Sequence, residues 1–346
     1  MKVAIHHTPG SFSDRWLEYC KGHHIDIEMV DCYDSNILRR MDDCDGLMWH
    51  WPHWDTKAAL FARQLTFTLE LAGKSVFPDS KTCWHYDDKL GQKYLLEAVG
   101  APLVPTTIFY DKPAALAWLE RTDFPKVFKL RRGAGSANVF LAASKRQARR
   151  LVGRAFGRGF PAVSRKNLFR DRIWHLRRDK DLSALIGLGK GFARLFIPTE
   201  IERKTPKEKG YVYFQDFVPS NAFDIRIVVI GNRAFGIKRM VRANDFRASG
   251  SGSLHYAKDD IDMSCVVPSF EISRKLGTQC LAFDYLYKDG RPVLTEISYA
   301  FVQAGYGDCP GYWDESLTWH EGKFYPEWFI AEDFIRRIGN THGPGL

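Results

Sequence analysis

The stretch FDYLYKDGRPVLTEIS, residues 283–298, constrains this chain more than any other. Two runs of strand-favouring residues flank Asp289-Gly290, and Asp-Gly between such runs is a strong hairpin signal. Each run carries a carboxylate, Asp284 near the start and Glu296 near the end. A carboxylate in a buried strand is costly unless it meets a cation or hydrogen-bond donors. Side chains alternate along a strand, so a loop with an odd number of residues sets the two carboxylates opposite each other on one face. An even loop sets them on opposite faces. The odd loop is expected here, and Ser298 then shares the face of Glu296. Adjacent carboxylates repel and require a positive charge. Oxygen-only ligands suit magnesium, which commonly shares its shell with phosphates. On this stretch alone, a surface hairpin edge that happens to be acidic remains the alternative.

Residues 1–82 alternate the two periodicities. KVAIHH, IDIEMVD and CDGLMWHW read as strands, with helices over SDRWLEYCKGHH and TKAALFARQLTFTLELAGK, and KSVFPDS closes the unit. Strands alternating with helices imply a parallel sheet. With no GxGxxG in this part, a dinucleotide site has little support. DDKLGQKYLLEAVG then reads as a helix that starts at Asp87-Asp88 and stops at Gly100. DKPAALAWLER is a further helix, and AFDIRIVVIGNRAFGIKRMVR a second hairpin turning at Gly231-Asn232. A helix is expected near PSFEISRKLGTQC and a closing amphipathic helix over PEWFIAEDFIRRIG.

Composition sets outer bounds. The 346 residues, 45% hydrophobic and 26% charged, suffice for a large core in two or three subdomains and exclude global disorder. No apolar run reaches the roughly 18 to 20 residues of a membrane span. MKVAIHHTPG turns polar too soon for a signal peptide, so a cytoplasmic location is expected. Seven cysteines without a CxxC pair argue against a disulfide framework or a zinc ribbon, and for reduced, buried thiols. The net charge is +9, but between Lys145 and Lys209 there are 19 Lys and Arg against 6 Asp and Glu, so the remainder is net acidic. Such a segment meets an anionic partner or forms a solvated helical face, and the residues leave both open. Without an RNA-binding or helix-turn-helix signature, nucleic acid is disfavoured.

LRRGAGSANV, residues 130–139, is a small-residue loop between apolar runs. Such a loop lets backbone N–H groups approach a phosphate closely. Lys129 precedes it within FPKVFKL, where a lysine is expensive unless it meets an anion. LMWHWPHW, residues 47–54, falls at the carboxyl end of a strand, where ligands of open α/β sheets bind. Trp49, Trp51 and Trp54 there can stack on a sugar or base, with His50 and His53 as hydrogen-bonding neighbours, or form an aromatic core. His6, His7 and Ser11 face the same edge, and Tyr306 and Asp308 follow the 283–298 stretch.

Taken together and in this order, DDKL, FKLRRGAGSANV, YFQDFVP, AFDIRIVVIG, FRASGSG and FDYL…TEIS resemble the ATP-grasp superfamily from about Asp88 to Ser298. The resemblance implies an α/β fold of α+β lobes behind an N-terminal open parallel sheet. It would place a substrate domain over 1–85, a small lobe over 86–214 with a basic insertion at 145–209, and a large lobe over 215–346. By resemblance, Lys89, Lys129, Gly133, Gly135 and Ser136 contact ATP phosphates. Gln215 and Phe217 meet adenine through the backbone, Asp224 lies on the nucleotide side, Arg226 and Arg247 face the transferred phosphate, and Asp284, Glu296 and Ser298 hold Mg2+. Three positions depart from the family pattern: Ser298 and Ser249 stand where asparagine is usual, and Gln215 where glutamate is usual.

The implied activity is an ADP-forming ligase, of the glutathione synthase or ribosomal-protein glutamate ligase type, joining a carboxylate to an amine through an acyl phosphate. Its partners would be small, sugar-linked or anionic substrates, with a homodimer left open. A kinase acting on a hydroxyl and a non-catalytic nucleotide-binding module are the alternatives.

Overall fold

Apolar runs with no polar face must be covered on both sides, and KVAI and GLM are such runs. In the computed structural model, which describes residues 1–53, 55–133, 138–161, 205–241 and 253–341, they are inner strands. The chain opens with β1 (Lys2–Ile5), α1 (Ser13–Gly22), β2 (Asp26–Met29), α2 (Ile37–Arg40), β3 (Gly46–Met48), α3 (Thr56–Leu71), β4 (Ser75–Phe77) and α4 (Ser80–Cys83). The four strands are parallel in the order β2-β1-β3-β4. Asp55 caps α3, its Oδ1 accepting from Ala58 N at 3.0 Å.

Two compact units partition the chain: Met1–Tyr86, Tyr94–Leu103 and Ser220–Leu346 form the first, Asp87–Lys93 and Val104–Pro219 the second. The second contains the start of α5 (Lys89–Ala98), then β5 (Thr106–Phe109), α6 (Lys112–Leu119), β6 (Lys126–Lys129), β7 (Val139–Ala142), α7 (Lys145–Ala155) and β8 (Val212–Asp216). Its strands form an antiparallel sheet, β5-β8-β6-β7, over a core that includes Phe128, Phe160, Val212 and Phe214. Of the basic segment 145–209, α7 is described and residues 162–204 lie outside the described residues.

The chain then returns to the first unit with β9 (Phe223–Ile230), β10 (Arg233–Met240), β11 (Leu254–His255), α8 (Met263–Leu276), β12 (Cys280–Lys288), β13 (Arg291–Ser298), β14 (Gly311–Asp314), β15 (Trp319–Glu321) and α9 (Pro326–Thr341). Their sheet runs β13-β12-β9-β10-β14-β15, with β11 on β10. Helix α8 starts at Met263, upstream of the expected PSFEISRK segment, with Pro268 inside it. Asp262 fixes that start by accepting from Ser264 N at 2.8 Å. One core joins the parallel sheet, one face of the large sheet and α9, and a second lies between the large sheet and α8. All seven cysteines are buried free thiols. No helix among the described residues is long and apolar enough to cross a membrane.

Candidate active site

The β12–β13 hairpin turns through Asp289 (φ 52°) and Gly290 (φ 74°), both left-handed, as a type I′ turn requires. Its loop therefore has two residues, not the odd number expected from sequence. Pairing runs from Lys288↔Arg291 to Tyr285↔Leu294 and then shifts, so that Asp284 pairs with Glu296. Thr295 is the extra residue of this β-bulge, and its Oγ1 donates to the Asp284 carbonyl at 3.0 Å. Across the other edge, Leu294 N donates to Pro102 O at 2.7 Å, which pins β13 beyond the bulge. The bulge thus supplies the odd residue, and the two carboxylates are cross-strand partners after all.

The row continues into β9, where Asp284 pairs with Arg226. Arg226 Nε lies 2.7 Å from Asp284 Oδ1, and Arg239 Nη2 lies 3.0 Å from the same oxygen. Arg239 also forks onto Asp224, Nε to Oδ1 and Nη2 to Oδ2 at 2.6 Å each. Asp224 and Arg239 are 7% and 6% exposed, so this is a desolvated network rather than a surface one. Burial works against the charge of Asp284, but Arg226 and Arg239 outweigh it and hold the carboxyl below its ordinary range. Burial likewise works against Arg239, and Asp284 and Asp224 keep it a stronger base than usual. The sequence reading missed Arg239, although the Gly231-Asn232 turn carries the signal. Once that turn fixes the register, Arg239 pairs with Asp224.

Asp284 and Glu296 offer oxygen donors on one face. Ser298, 8% exposed, uses its proton on the Ala300 carbonyl at 2.8 Å, which leaves its oxygen lone pairs as the donor. Among the described residues no cluster of three His, Cys, Asp or Glu side chains forms a metal site. Two carboxylates and a hydroxyl still fit magnesium, which often takes only one or two protein carboxylates beside phosphates.

In the second unit, the glycine loop is anchored by the start of α5. Gly133 N donates to Asp87 Oδ1 at 2.7 Å, and the ammonium of Lys89 donates to the Gly133 carbonyl at 2.9 Å. Arg131 closes the set with Asp88 at 2.5 Å. Gly133 has φ 119°, and a Cβ there would lie 2.6 Å from the Asn138 amide nitrogen, so both conformation and space demand glycine. Lys89 and Lys129 are 4% and 7% exposed. Gln215 directs its side-chain amide to Thr106 Oγ1 at 3.2 Å, and Phe217 follows half-buried beyond β8. Gly135, Ser136, Arg247 and Ser249 lie outside the described residues, as does Trp54.

Trp49, His50 and Trp51 at the edge of β3 are core, not a stacking platform. Trp49 and Trp51 are each 1% exposed, and the Tyr299 hydroxyl bridges the Trp51 backbone, accepting from N and donating to O at 3.1 Å each. His50 stacks on Phe12 at 3.7 Å, and its Nδ1 accepts from Phe12 N. Burial lowers the His50 pKa to about 3 and keeps the ring neutral. His6 and Ser11 are also buried. Tyr306, 3% exposed, packs its ring on Phe235 and Phe301. Arg226 and Arg239 act on its phenol, whose pKa burial raises to about 12, so it stays protonated at neutral pH.

No protein-family model and no curated protein matches the chain. Solved structures do. A RimK-domain ATP-grasp protein from Sphaerobacter thermophilus is 16% identical with a TM-score of 0.53, covering 97% of this chain and 100% of its own. The D-alanine–D-alanine ligase from Bacillus anthracis, in complex with ATP, is 12% identical with a TM-score of 0.53 and 99% coverage of both chains. N5-carboxyaminoimidazole ribonucleotide synthetase from Thermotoga maritima is 14% identical with a TM-score of 0.55, covering 98% of this chain and 76% of its own. At these identities the shared property is architecture, and nearly the whole chain shares it: this protein has the ATP-grasp fold.

Proposed function

We propose that the protein is an ATP-dependent, ADP-forming ligase that joins a small carboxylate to an amine. The observation that carries this reading is the row Glu296–Asp284–Arg226 across three adjacent strands, which sets two carboxylates beside a guanidinium on a fold used by ATP-dependent ligases. Lys89, Lys129 and the loop of Gly133, Gly135 and Ser136 hold the nucleotide phosphates. Gln215 and Phe217 present backbone groups to adenine, and Asp224 orients Arg239. Asp284, Glu296 and Ser298 hold magnesium, which when bound supplies charge shielding for the transferred phosphoryl group.

In this reading a carboxylate oxygen of the substrate attacks the γ-phosphorus of ATP. The bond to the bridging oxygen breaks, ADP leaves and an acyl phosphate forms. The amine nitrogen then attacks the acyl carbon, inorganic phosphate leaves and the nitrogen loses a proton. Arg226 and Arg247 neutralise the developing phosphate charge, the preorganised electrostatic stabilisation that such chemistry needs more than a protein nucleophile. Residues 1–85 serve as the substrate domain, and the enzyme acts in the cytoplasm.

The test is incubation with magnesium, ATP and a pooled library of carboxylates, amines and sugar acids, following free phosphate and product masses together. Free phosphate with a product equal to two substrates less water is expected, and Glu296→Gln should lower that turnover at least about a hundredfold with the fold intact. A product heavier by one phosphoryl group without free phosphate identifies a kinase instead. Full turnover by Glu296→Gln would remove the metal assignment.

A further inference from the structure

One face of the large sheet changes character along its strands. Near β14 it is apolar, with Phe235 opposite Val228 and Val228 opposite Ala282. Two residues further along, the same face carries Ile237, Arg226 and Asp284 as neighbours, and beyond them Arg239 opposite Asp224. Tyr306 lies where the apolar part meets the charged part. Its ring packs edge-on against Phe235, with centroids 5.4 Å apart, and against Phe301 at 5.2 Å. Its hydroxyl is close enough to Arg226, Arg239 and Asp284 to feel their charges. The segment is fixed at both ends: Tyr306 N donates to the Gln303 carbonyl at 3.0 Å, and Cys309 N donates to the Tyr306 carbonyl at 3.1 Å. The Cys309 thiol in turn donates to the Gly236 carbonyl at 3.7 Å, which ties the segment to β10.

Tyr306 is 3% exposed, and among the described residues its hydroxyl has no hydrogen-bond partner. A buried hydroxyl that has given up water without gaining a partner is destabilising. Phenylalanine would fill the same space between Phe235 and Phe301 without that cost. Tyr285 supplies the contrast from the opposite face of the sheet. It is fully buried too, but its hydroxyl shares a hydrogen bond of 3.1 Å with Ser269 Oγ. The cost at Tyr285 is offset within the chain, and the cost at Tyr306 is left for a ligand to offset. The neighbours define that ligand. Arg226 and Arg239 carry donors only, and the phenol keeps its proton at neutral pH, so it is a donor as well. Donors gathered beside a magnesium site call for an anionic oxygen that the metal can share, and a phosphoryl group presents one.

We propose that Tyr306 is a catalytic residue, its hydroxyl donating a hydrogen bond to a non-bridging oxygen of the transferred phosphoryl group beside Arg226. This rests on the ligase reading, and the experiment separates the two. The proton stays on the phenol throughout, so Tyr306 acts by stabilising charge and not as an acid. Orthovanadate, which mimics phosphorus during transfer, is titrated into the full-length protein loaded with MgADP. MgADP affinity and the thermal midpoint are measured in parallel. Tyr306→Phe should weaken vanadate binding at least about tenfold, with MgADP affinity unchanged and the midpoint unchanged or raised. Tyr285→Phe should do the reverse, lowering the midpoint and leaving vanadate binding intact. Vanadate affinity equal in the parent and Tyr306→Phe, binding by neither included, overturns the proposal and leaves the ligase reading standing. So does a midpoint for Tyr306→Phe that falls as far as that of Tyr285→Phe, because the hydroxyl would then be structural. Failure of the parent to bind MgADP overturns the ligase reading itself, and the role of Tyr306 with it.

Discussion

The large sheet contains two hairpins of similar size with two-residue turns, and they handle charge differently. β9 and β10 pair without interruption from Arg233↔Ile230 to Met240↔Phe223. β12 and β13 lose register after Tyr285. The unbroken hairpin sets Arg239 against Asp224 and neutralises a carboxylate with its own partner strand. The broken hairpin sets Glu296 against Asp284, two like charges, and relies on Arg226 and Arg239 of the unbroken one for compensation. Regular pairing here stabilises, whereas the bulge spends regularity to concentrate negative charge, the arrangement expected where a cation must bind.

Moving the carboxylate onto the bulge should produce the largest effect. The double variant Thr295→Glu, Glu296→Thr keeps the turn and the composition but sets threonine opposite Asp284 and puts the carboxylate on the extra residue, out of the cross-strand pair. Magnesium-dependent turnover should fall by about a thousandfold or more, while the circular dichroism spectrum stays that of a folded protein. Retained turnover would mean that the Asp284–Glu296 pairing is incidental.

The second test acts on the unbroken hairpin. Arg239→Met strips Asp224 of its bidentate partner and Asp284 of one of two cations, which should destabilise folding by about 3–5 kcal/mol in a denaturant titration. The pH dependence follows from the same contacts. Asp284 has a depressed folded-state pKa, so its contribution is present above the unfolded carboxylate range near 4 and is lost as pH falls through the lower folded value. Without Arg239 the folded value rises, and acid unfolding should begin at higher pH than in the parent. An unchanged acid midpoint would show that Arg226 alone holds Asp284 ionised.

Much of this was legible before any coordinates. Asp-Gly and Gly-Asn between apolar runs placed both hairpins, period-two alternation put Glu296 with Ser298, and the family resemblance singled out Asp224 and Arg226. What escaped has no local signature. A bulge is one extra residue of ordinary type, and Thr295 does not announce itself in TEIS. Burial of Trp49 and Trp51 depends on Tyr299, far along the chain. Arg239 was readable in principle, because the turn that fixes its register had been located.

The smallest effect separates the turns themselves. Gly231 (φ 56°) and Gly290 (φ 74°) both sit in the left-handed region, which costs an L-residue about 1–2 kcal/mol. Gly290 has nothing within 4 Å of a built Cβ, so Gly290→Ala should cost only that backbone term, about 1 kcal/mol. At Gly231 the added carbon would lie 2.2 Å from Asp333 Oδ2, and Asp333 is already held by Arg233 at 3.0 and 3.1 Å. Gly231→Ala must therefore displace a paired carboxylate as well as strain the backbone. Thermal denaturation of the two variants side by side should rank Gly231→Ala as the more damaging, with activity per folded molecule unchanged in both. Equal midpoints would mean that α9 yields freely at Asp333, and the unbroken hairpin would then be less rigidly braced than its register implies.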